Sequence, residues 1–392
     1  MHQFHDQMSR TNLHIFVTTA VSESRLFKEA SNSLSVGRFE RVVLLAVWDK
    51  GLELQECHSS GLEIIRQKTS LRRLKAKGAV TLVRVLRPLL LILAMLEYAL
   101  AAIRLGLRIK PSHVSVHNPG MLPVGLLLKW LTGSRLVYLP HELEAERAGM
   151  RGLFKLMFVA TEGSLIKFYD HVVVVCEPIA EWYRSRYGLT NVSVVRNVPK
   201  SADIGQPNRS DKFRSHFSIP GTSRIFVYQG LIERARGCDS LVAIFRQRSD
   251  HIVFMGYGEY VSEINQLATS NIHHLPAVPL KDIIGYTSGA DVGLFMLKGD
   301  VCLSYALSLP NKFFEYLHAG LPVVVSDNLT YLSSLVREHR LGWVSTIETL
   351  DQTLASITQA EIDELRNYVA TYAQTCVWEG DAVVFDRVYD NA

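Results

Sequence analysis

The chain of 392 residues has few cysteines, and they lie far apart. No two of them form a Cys-x-x-Cys pair or stand at the spacing of zinc ligands, so neither a redox pair nor a metal site is expected. Scattered thiols favour a reducing compartment. Because the first ten residues are polar and lack the apolar core of a signal peptide, we expect a cytoplasmic protein. The five cysteines are Cys57, Cys176, Cys238, Cys302 and Cys376.

The sequence also lacks a run of about 20 uncharged apolar residues, which is the length that spans a bilayer. Its most apolar segment, 86–107, is interrupted by Arg87, Glu97 and Arg104. We predict that this segment forms a buried helix. A cluster of basic residues precedes it, and a basic stretch followed by an apolar one is also typical of a segment at a membrane surface. The cluster consists of Arg66, Lys68, Arg72, Arg73, Lys75 and Lys77.

Charge is nearly balanced overall, with a net of +4, but it is unevenly distributed. Residues 1–200 carry 27 Lys and Arg against 16 Asp and Glu, whereas the remainder carries 15 against 22. Such asymmetry suggests two units with different partners. A basic first half suits an anionic membrane surface or a lipid-phosphate substrate. No nucleic-acid recognition motif accompanies the charge, so nucleic acid is not an expected partner.

Short β-branched runs alternate with helical stretches along the chain, which predicts the α/β class with parallel sheets covered on both faces. The alternation breaks at 199–223, a polar stretch rich in Ser, Gly, Pro and Asn that we interpret as a linker. We predict two Rossmann-like, doubly wound domains, 1–198 and 224–375, facing a central cleft. A last helix within 376–392 is expected to cross back to the first domain. Ligands in such sheets bind outside the carboxyl ends of the strands.

The segment 304–327 is the most informative. It contains a loop ending at Pro310 and Asn311, a short helix, a stop at Gly320 and a buried strand. Asn311 is a good N-cap residue, and the free N–H groups and dipole of a helix start suit a diphosphate. Glu315 lies about one turn into the helix, within reach of sugar or ribose hydroxyls. A capped helix packed on a sheet, without a ligand, is the alternative interpretation.

This segment resembles the donor-site signature of the family 4 retaining glycosyltransferases of the GT-B fold. Their pattern is an acidic residue, seven intervening positions, a Glu followed by Ala or Tyr, and a Gly-x-Pro-Val strand. The run from Pro310 to Val323 matches the second half and makes Glu315 the second glutamate of the family. Leu307 stands where the first acid is expected. The resemblance implies that Pro310, Asn311 and Lys312 contribute to the donor site.

The segment 228–237 resembles the strand and loop in which the family places an Arg and then a Lys/Arg-Gly pair to hold the donor diphosphate. Arg236 and Gly237 match the second cation. Gly230 is not followed by the first Arg, and Arg234 is the candidate to replace it. Two guanidinium groups suit the charge that develops on a leaving nucleoside diphosphate. No Asp-x-Asp pair stands in a metal-binding context, so we expect no metal and no other cofactor.

Two further loops of the second half resemble the family's nucleotide contacts. Gly256 and Gly258 follow a predicted strand and match the family's Gly-x-Gly, where the backbone approaches the nucleotide. A tight turn without ligand is the alternative for these glycines. In the family the loop after the next strand holds the base through backbone groups, which assigns Ala277 and Val278 to the donor site by resemblance.

In the first half, His141 follows a predicted strand and resembles the family's strand-end His that contacts the donor sugar. A histidine at this place can also simply satisfy a hydrogen bond in the core. Glu142 is a candidate on the acceptor side, as are His117 and Asn118 at the end of another strand. The predicted catalytic residues are thus His141, Arg236 and Glu315.

The resemblance implies transfer of a sugar from a nucleoside-diphosphate sugar to a hydroxyl group with retention, the departing diphosphate helping to accept the proton. We expect a lipid-linked or saccharide acceptor in the assembly of bacterial surface polysaccharide or glycolipid. The basic domain is expected to dock peripherally on the inner face of the cell membrane. Two alternatives remain open, a nucleotide-sugar 2-epimerase and a non-catalytic partner subunit that kept the fold.

Overall fold

The computed structural model of the protein describes residues 10–19, 21, 25–76, 86–204, 209–267, 269–299 and 301–391. They form two compact α/β units. The first contains the chain up to Val195 and again from Ala382, and the second runs from Arg196 to Asp381. Lys77, most of the first ten residues and part of the predicted linker lie outside the described residues.

The first unit is built on an eight-stranded sheet with the order β3-β4-β2-β1-β5-β6-β7-β8. All neighbouring strands are parallel except β3, which pairs antiparallel with β4. Because β1 lies between β2 and β5, the chain turns to the other half of the sheet there, which is where ligands of such folds bind. The strands are β1 Thr11–Ile15, β2 Arg41–Val47, β3 Gln55–Ser59, β4 Leu62–Gln67, β5 His113–Val116, β6 Arg135–Tyr138, β7 His171–Val174 and β8 Val192–Val194.

Helices cover this sheet, and their ends follow local sequence signals. Proline stands in the first turn of three of them, where no backbone N–H is needed. Gly133 and Gly188 close two of them in the left-handed conformation, with φ of +74° and +65°. The helices are α1 Arg25–Ser35, α2 Ser70–Ala76, α3 Arg87–Ile109, α4 Leu122–Thr132, α5 Gly152–Leu165 and α6 Glu177–Tyr187, with short 3-10 turns at Pro119–Met121, Glu144–Glu146 and Ile166–Phe168.

Helix α3 corrects one prediction. The apolar segment 86–107 does form a helix, but eleven of the 23 helix residues are exposed, and its buried side is limited to Leu90, Tyr98, Ala102, Leu105 and Gly106. The helix lies beside α2 and α4, so only one side of it reaches the sheet. A helix that is apolar all round carries no periodicity that tells which side is buried, and the sequence therefore favoured full burial.

The basic cluster before α3 is also less uniform than predicted. Arg66 lies in β4, is buried, and donates to the carbonyl of Glu53 at 2.9 Å and to the carboxylate of Glu56. Arg72 is paired with Asp49 at 2.5 Å. The exposed members at the end of α2 are Arg73 and Lys75, for which the described residues offer no carboxylate partner.

The second unit has a six-stranded, fully parallel sheet with the order β11-β10-β9-β12-β13-β14. Its core is formed by aromatic and branched side chains such as Phe226, Phe245, Phe254 and Leu294, all fully buried. The carboxyl ends of all six strands therefore lie at one edge of the sheet. The strands are β9 Ile225–Leu231, β10 His251–Tyr257, β11 Ile272–Pro276, β12 Val292–Phe295, β13 Val323–Ser326 and β14 Gly342–Ser345.

The helices of the second unit begin within the predicted linker, where α7 and α8 lie. The last helix, α17, begins in the second unit, where Asp381 accepts from the guanidinium of Arg196, and it ends in the first, where Tyr389 bonds Ser115 at 3.0 Å. The helices are α7 Ser201–Ile204, α8 Lys212–Phe217, α9 Cys238–Phe245, α10 Val261–Asn265, α11 Leu280–Thr287, α12 Leu303–Leu307, α13 Asn311–His318, α14 Thr330–Glu338, α15 Leu350–Ser356, α16 Gln359–Gln374 and α17 Trp378–Asn391, with a 3-10 turn at Arg234–Arg236.

Candidate active site

The predicted donor-site residues of the second unit lie at the carboxyl edge of its sheet. Gly230 is at the end of β9, Gly256 is at the end of β10, and Ala277 and Val278 follow β11 directly. Helix α13 begins in the connection between β12 and β13, so its first turn belongs to the same edge. The structure thus brings segments separated by more than 80 residues in sequence to one edge.

Lys312 is the most unusual group at this edge. Its ammonium nitrogen is buried and has no hydrogen-bond partner among the described residues. It lies 4.5 Å from the centre of the Tyr228 ring and 4.1 Å from that of the Phe295 ring. Burial, together with the nearby charge of Arg236, lowers the pKa of Lys312 to about 7. Aromatic faces attract a cation, but they do not replace a hydrogen-bonding anion.

Glu315 is held in place by an amide. The side-chain N–H of Gln229 donates to the carboxylate of Glu315, and the amide oxygen of Gln229 accepts from the Thr287 hydroxyl at 2.9 Å. Burial raises the pKa of Glu315 above its ordinary value, although the bond from Gln229 and the charge of Lys312 oppose this. Residues of β9 and α11 therefore position the carboxyl group of Glu315, which remains close to Lys312.

The start of α13 differs from the predicted cap. Pro310 is the N-cap residue, and its side chain accepts no hydrogen bond. Asn311 is already the first helical residue, and its side-chain oxygen accepts from the amide of Asn197 at 2.8 Å. The proline occupies the capping position because its fixed φ of −76° suits the extended backbone there. As a result, no capping side chain occupies the first N–H groups of the helix.

Arg236 and Arg234 have different surroundings. Arg236 ends a 3-10 turn, and its guanidinium donates to the hydroxyl of Tyr305 at 3.4 Å and lies 3.6 Å from Glu233. Arg234 is more than half exposed; it is paired with Glu263 at 3.3 Å and packed on the ring of Tyr260. The structure brings Arg236 near Lys312, whereas Arg234 is held by the start of α10.

The close packing of β9 and β10 requires glycine at positions 256 and 258. A Cβ at Gly256 would stand 1.9 Å from the carbonyl oxygen of Gly230, and one at Gly258 would stand 2.1 Å from that of Ile232. Both have φ above +150°, which side chains rarely adopt. The backbones of β9 and β10 approach so closely at their ends that glycine is needed there even without a nucleotide.

In the first unit, three histidines form a chain at the ends of β1, β5 and β6. Nδ1 of His14 lies 3.0 Å from Nε2 of His117, and Nδ1 of His117 lies 2.9 Å from Nε2 of His141. Burial lowers the pKa of His14 and His141 to about 3 and that of His117 well below its ordinary value. All three rings are neutral at pH 7, so each bond needs one N–H and one lone pair, and the tautomer of one ring determines that of the next.

The other acceptor-side residues lie around the same strand ends. The side-chain oxygen of Asn118 accepts from the backbone N–H of Val17 at 2.8 Å, which fixes the loop after β1. Glu142 is paired with Arg147 at 3.1 Å. A pocket of about 320 Å³ opens beside them. Its lining includes the polar residues Asn118, Glu144 and Arg147 and the apolar residues Met95, Met150 and Phe158.

Three residues of these sites were missed from the sequence. Gln229 and Thr287 orient Glu315, and His14 ends the histidine chain. His14 stands inside a predicted strand, where an isolated polar residue in an apolar run was the available signal. Gln229 offered a similar signal at the end of β9, but Thr287 is 58 residues away from it and offered none.

Sequence comparison identifies two domains in the chain. Residues 38–198 match the model of a glycosyl transferase 4-like domain, and residues 241–380 match that of a glucosyltransferase 3-like C-terminal domain. No protein with curated functional information matches the chain in sequence. The predicted resemblance to family 4 glycosyltransferases is confirmed by these domains.

Solved structures confirm the predicted GT-B fold. Sucrose-phosphate synthase from Thermosynechococcus elongatus superimposes with a TM-score of 0.71 at 15% identity, covering 97% of this chain and 98% of the other. HepE of Anabaena in complex with UDP-glucose gives 0.67 at 13% identity, with 97% and 100% covered. A UDP-forming trehalose-phosphate synthase from Burkholderia vietnamiensis gives 0.63 at 13% identity, with 98% and 100% covered.

Proposed function

We propose that this protein, a glycosyltransferase of the GT-B fold with a glycosyl transferase 4-like domain, uses a uridine-diphosphate sugar as its donor. The observation that carries the proposal is Lys312, a buried cation without an anionic partner at the start of α13. Among the similar structures, HepE was solved with UDP and with UDP-glucose, and the trehalose-phosphate synthase is described as UDP-forming. A diphosphate would supply the anion that Lys312 lacks.

The donor would lie across the carboxyl edge of the second sheet. Its diphosphate would accept hydrogen bonds from Lys312, from Arg236 and from the free N–H groups at the start of α13. Glu315, oriented by Gln229, would bond hydroxyl groups of the sugar or the ribose. Ala277 and Val278 follow β11 and would offer backbone groups to the base.

We infer a front-face transfer with retention, following the resemblance to family 4. The bond between the anomeric carbon and the diphosphate oxygen breaks, the hydroxyl oxygen of the acceptor attacks the same face, and its proton passes to the departing diphosphate. Lys312 and Arg236 would stabilise the charge on the diphosphate, so we expect no requirement for a divalent metal. His141, whose tautomer is determined by the neutral histidine chain, would contact the donor sugar.

The acceptor is proposed to be a lipid-linked or saccharide hydroxyl, in the assembly of bacterial surface polysaccharide or glycolipid. The pocket in the first unit supports the lipid-linked form, because Met95 of α3 and Phe158 of α5 line its apolar side. Arg147 on the polar side suits a phosphate group, although it already pairs with Glu142 and Glu144. All five cysteines are described and none forms a disulfide, and buried thiols such as Cys238 support a cytoplasmic location.

The test of the donor is a thermal-shift screen of nucleoside diphosphates and nucleotide sugars. A ligand at about 100 times its Kd stabilises the native state by about 2.7 kcal/mol, which raises Tm by roughly 3 °C in a protein of this size. We expect this shift with UDP or a UDP-sugar for the wild type. Arg236→Ala and Lys312→Met should reduce it to about half or less at the same ligand concentration, since a tenfold weaker affinity leaves about 1.4 kcal/mol of stabilisation. The exposed Lys281→Met is the matched control and should keep the shift.

No shift with any nucleotide would contradict the donor proposal. Product analysis with purified protein then separates the alternatives. Transfer or hydrolysis of the donor sugar excludes a non-catalytic partner subunit, and recovery of an epimerised nucleotide sugar without acceptor would identify a 2-epimerase.

A further inference from the structure

Three neighbouring helices of the first unit expose an apolar surface. Helices α3, α4 and α5 lie side by side in this order. Among the described residues, the whole second unit exposes only four large apolar side chains, and these three helices alone expose fourteen. Soluble monomers rarely expose apolar patches larger than a few hundred Å². The apolar helix face consists of Leu89, Leu91, Ile92, Leu93, Leu96, Leu100 and Leu107 of α3, Leu127, Trp130 and Leu131 of α4, and Leu153, Phe154, Leu156 and Met157 of α5.

This face carries no exposed carboxylate, since every residue of the three helices is described and only two are acidic. Glu97 accepts from the backbone N–H and the hydroxyl of Ser70, at 2.6 and 2.5 Å, and so holds the start of α2. Glu162 is buried and accepts from three tyrosine hydroxyls, those of Tyr138, Tyr183 and Tyr187. Both acids are therefore used inside the unit.

Basic side chains border the same face. Arg87 and Arg108 stand at the two ends of α3, about 31 Å apart along the helix axis, and Arg104 is exposed between them. None of the three has a carboxylate partner among the residues that the structure describes, and Arg151 precedes α5 directly. Long basic side chains place their charge in a headgroup layer while their stems lie on apolar surface. An apolar centre with a basic border matches the chemistry of an anionic membrane surface.

We propose that the apolar helix face lies in the interfacial layer of an anionic membrane. Helix α3, with 23 residues, is long and apolar enough to cross a membrane by length and composition. However, its Tyr98 hydroxyl is bonded to the carbonyls of Phe16 and Leu45, at 3.0 and 2.5 Å, so one side of the helix is part of the folded unit. The helix therefore lies in the plane of the membrane beside α4 and α5.

This contact refines the predicted docking, because it assigns the main contact to the three helices and leaves only Arg73 and Lys75 of the preceding basic cluster for the border. It rests on the proposed function for its purpose, since a lipid-linked acceptor is reached from a membrane. Met95 of α3 and Phe158 of α5 line the acceptor pocket, so the pocket is bordered by the helices that would enter the lipid. The binding itself does not depend on sugar transfer.

The experiment is co-sedimentation of the full chain with vesicles of phosphatidylcholine containing 30% phosphatidylglycerol, and with vesicles of phosphatidylcholine alone. We expect stronger binding to the anionic vesicles. Ile92→Glu and Trp130→Glu place a charge on two different helices of the face, and each should weaken partitioning by about tenfold. Leu280→Glu is the matched control, because Leu280 and Ile92 are both 61% exposed, and it should bind as the wild type does.

The UDP-dependent thermal shift is measured on the same variants and should be unchanged in Ile92→Glu. A failure of the membrane contact can therefore be distinguished from a failure of UDP binding. A wild type that stays in the supernatant with both kinds of vesicle overturns the membrane contact. The membrane contact is also overturned if light scattering shows a wild-type dimer that Ile92→Glu and Trp130→Glu convert to a monomer. The apolar helix face would then bind a second copy of the chain.

Discussion

The carboxyl ends of the two sheets carry different chemistry. In the first unit, His14, His117 and His141 are neutral and bond to one another, while Nε2 of His14 is buried without a hydrogen-bond partner among the described residues. In the second unit, Lys312 is a buried amine without a partner, next to Glu315. The unpartnered nitrogen of the first edge belongs to a neutral ring, whereas that of the second belongs to an amine that can carry a positive charge, which is why we propose that the diphosphate binds to the second edge.

Lys312→Met should weaken nucleoside diphosphate binding by roughly 10- to 150-fold, because a hydrogen bond to a charged group is worth about 1.5–3 kcal/mol. The same variant should melt a few degrees higher than the wild type without ligand, since a buried amine without a partner is replaced by an apolar side chain. Calorimetric titration with UDP and a melting curve measure both effects. Unchanged UDP affinity would show that the buried amine does not face the diphosphate.

The pH dependence of nucleoside diphosphate binding also tests whether the amine of Lys312 faces the diphosphate. The free site has a Lys312 pKa of about 7, and a bound diphosphate favours the ammonium form. Above pH 7, the protein should therefore take up a proton when the diphosphate binds. In this range the affinity for the diphosphate should fall by up to about tenfold for each unit that the pH rises. Below pH 7 the amine is already protonated, and this dependence disappears. Titrations in buffers of different ionisation enthalpy measure the uptake, which Lys312→Met should abolish.

On the neutral edge, His117→Phe should lower turnover several-fold while leaving UDP affinity unchanged. The substitution breaks both bonds of the chain and releases the tautomer of His141. Because burial keeps the pKa values of His14 and His141 near 3, these rings should cause no inflection in turnover between pH 5 and 8. A turnover profile with an inflection near pH 6.5 that His117→Phe removes would contradict a neutral chain.

Arg234→Ala should have the smallest effect, changing UDP affinity by less than about threefold, because its pairing with Glu263 is exposed. Arg236→Ala, two positions away, serves as the matched comparison and should weaken binding by roughly tenfold or more. Equal losses in the two variants would show that the loop rearranges and that Arg234 replaces the family's first arginine, as the sequence predicts.

Much of the fold could be predicted from sequence because the buried parallel strands are continuous β-branched runs. Arg41–Val47 and Val323–Ser326 are examples, in which nearly every residue is buried. The hairpin of β3 and β4 was missed, because β3 is exposed on the edge of the sheet and carries polar residues such as Glu56 and His58. Edge strands lack the apolar pattern that marks a central strand.

Three features of the protein could be predicted from its amino-acid sequence alone: the alternation of strands and helices, the glycines at the ends of β9 and β10, and the position of Lys312 at a helix start. These follow from local preferences and from patterns of neighbouring residues. Other features depend on how the chain folds: Lys312 lies between Tyr228 and Phe295, Gln229 joins Glu315 to Thr287, and one side of α3 is exposed. The burial of a side chain and its hydrogen-bond partners depend on residues that are distant in the chain. Because the free energy of a charged group depends on its burial and on its partners, local sequence patterns do not predict it.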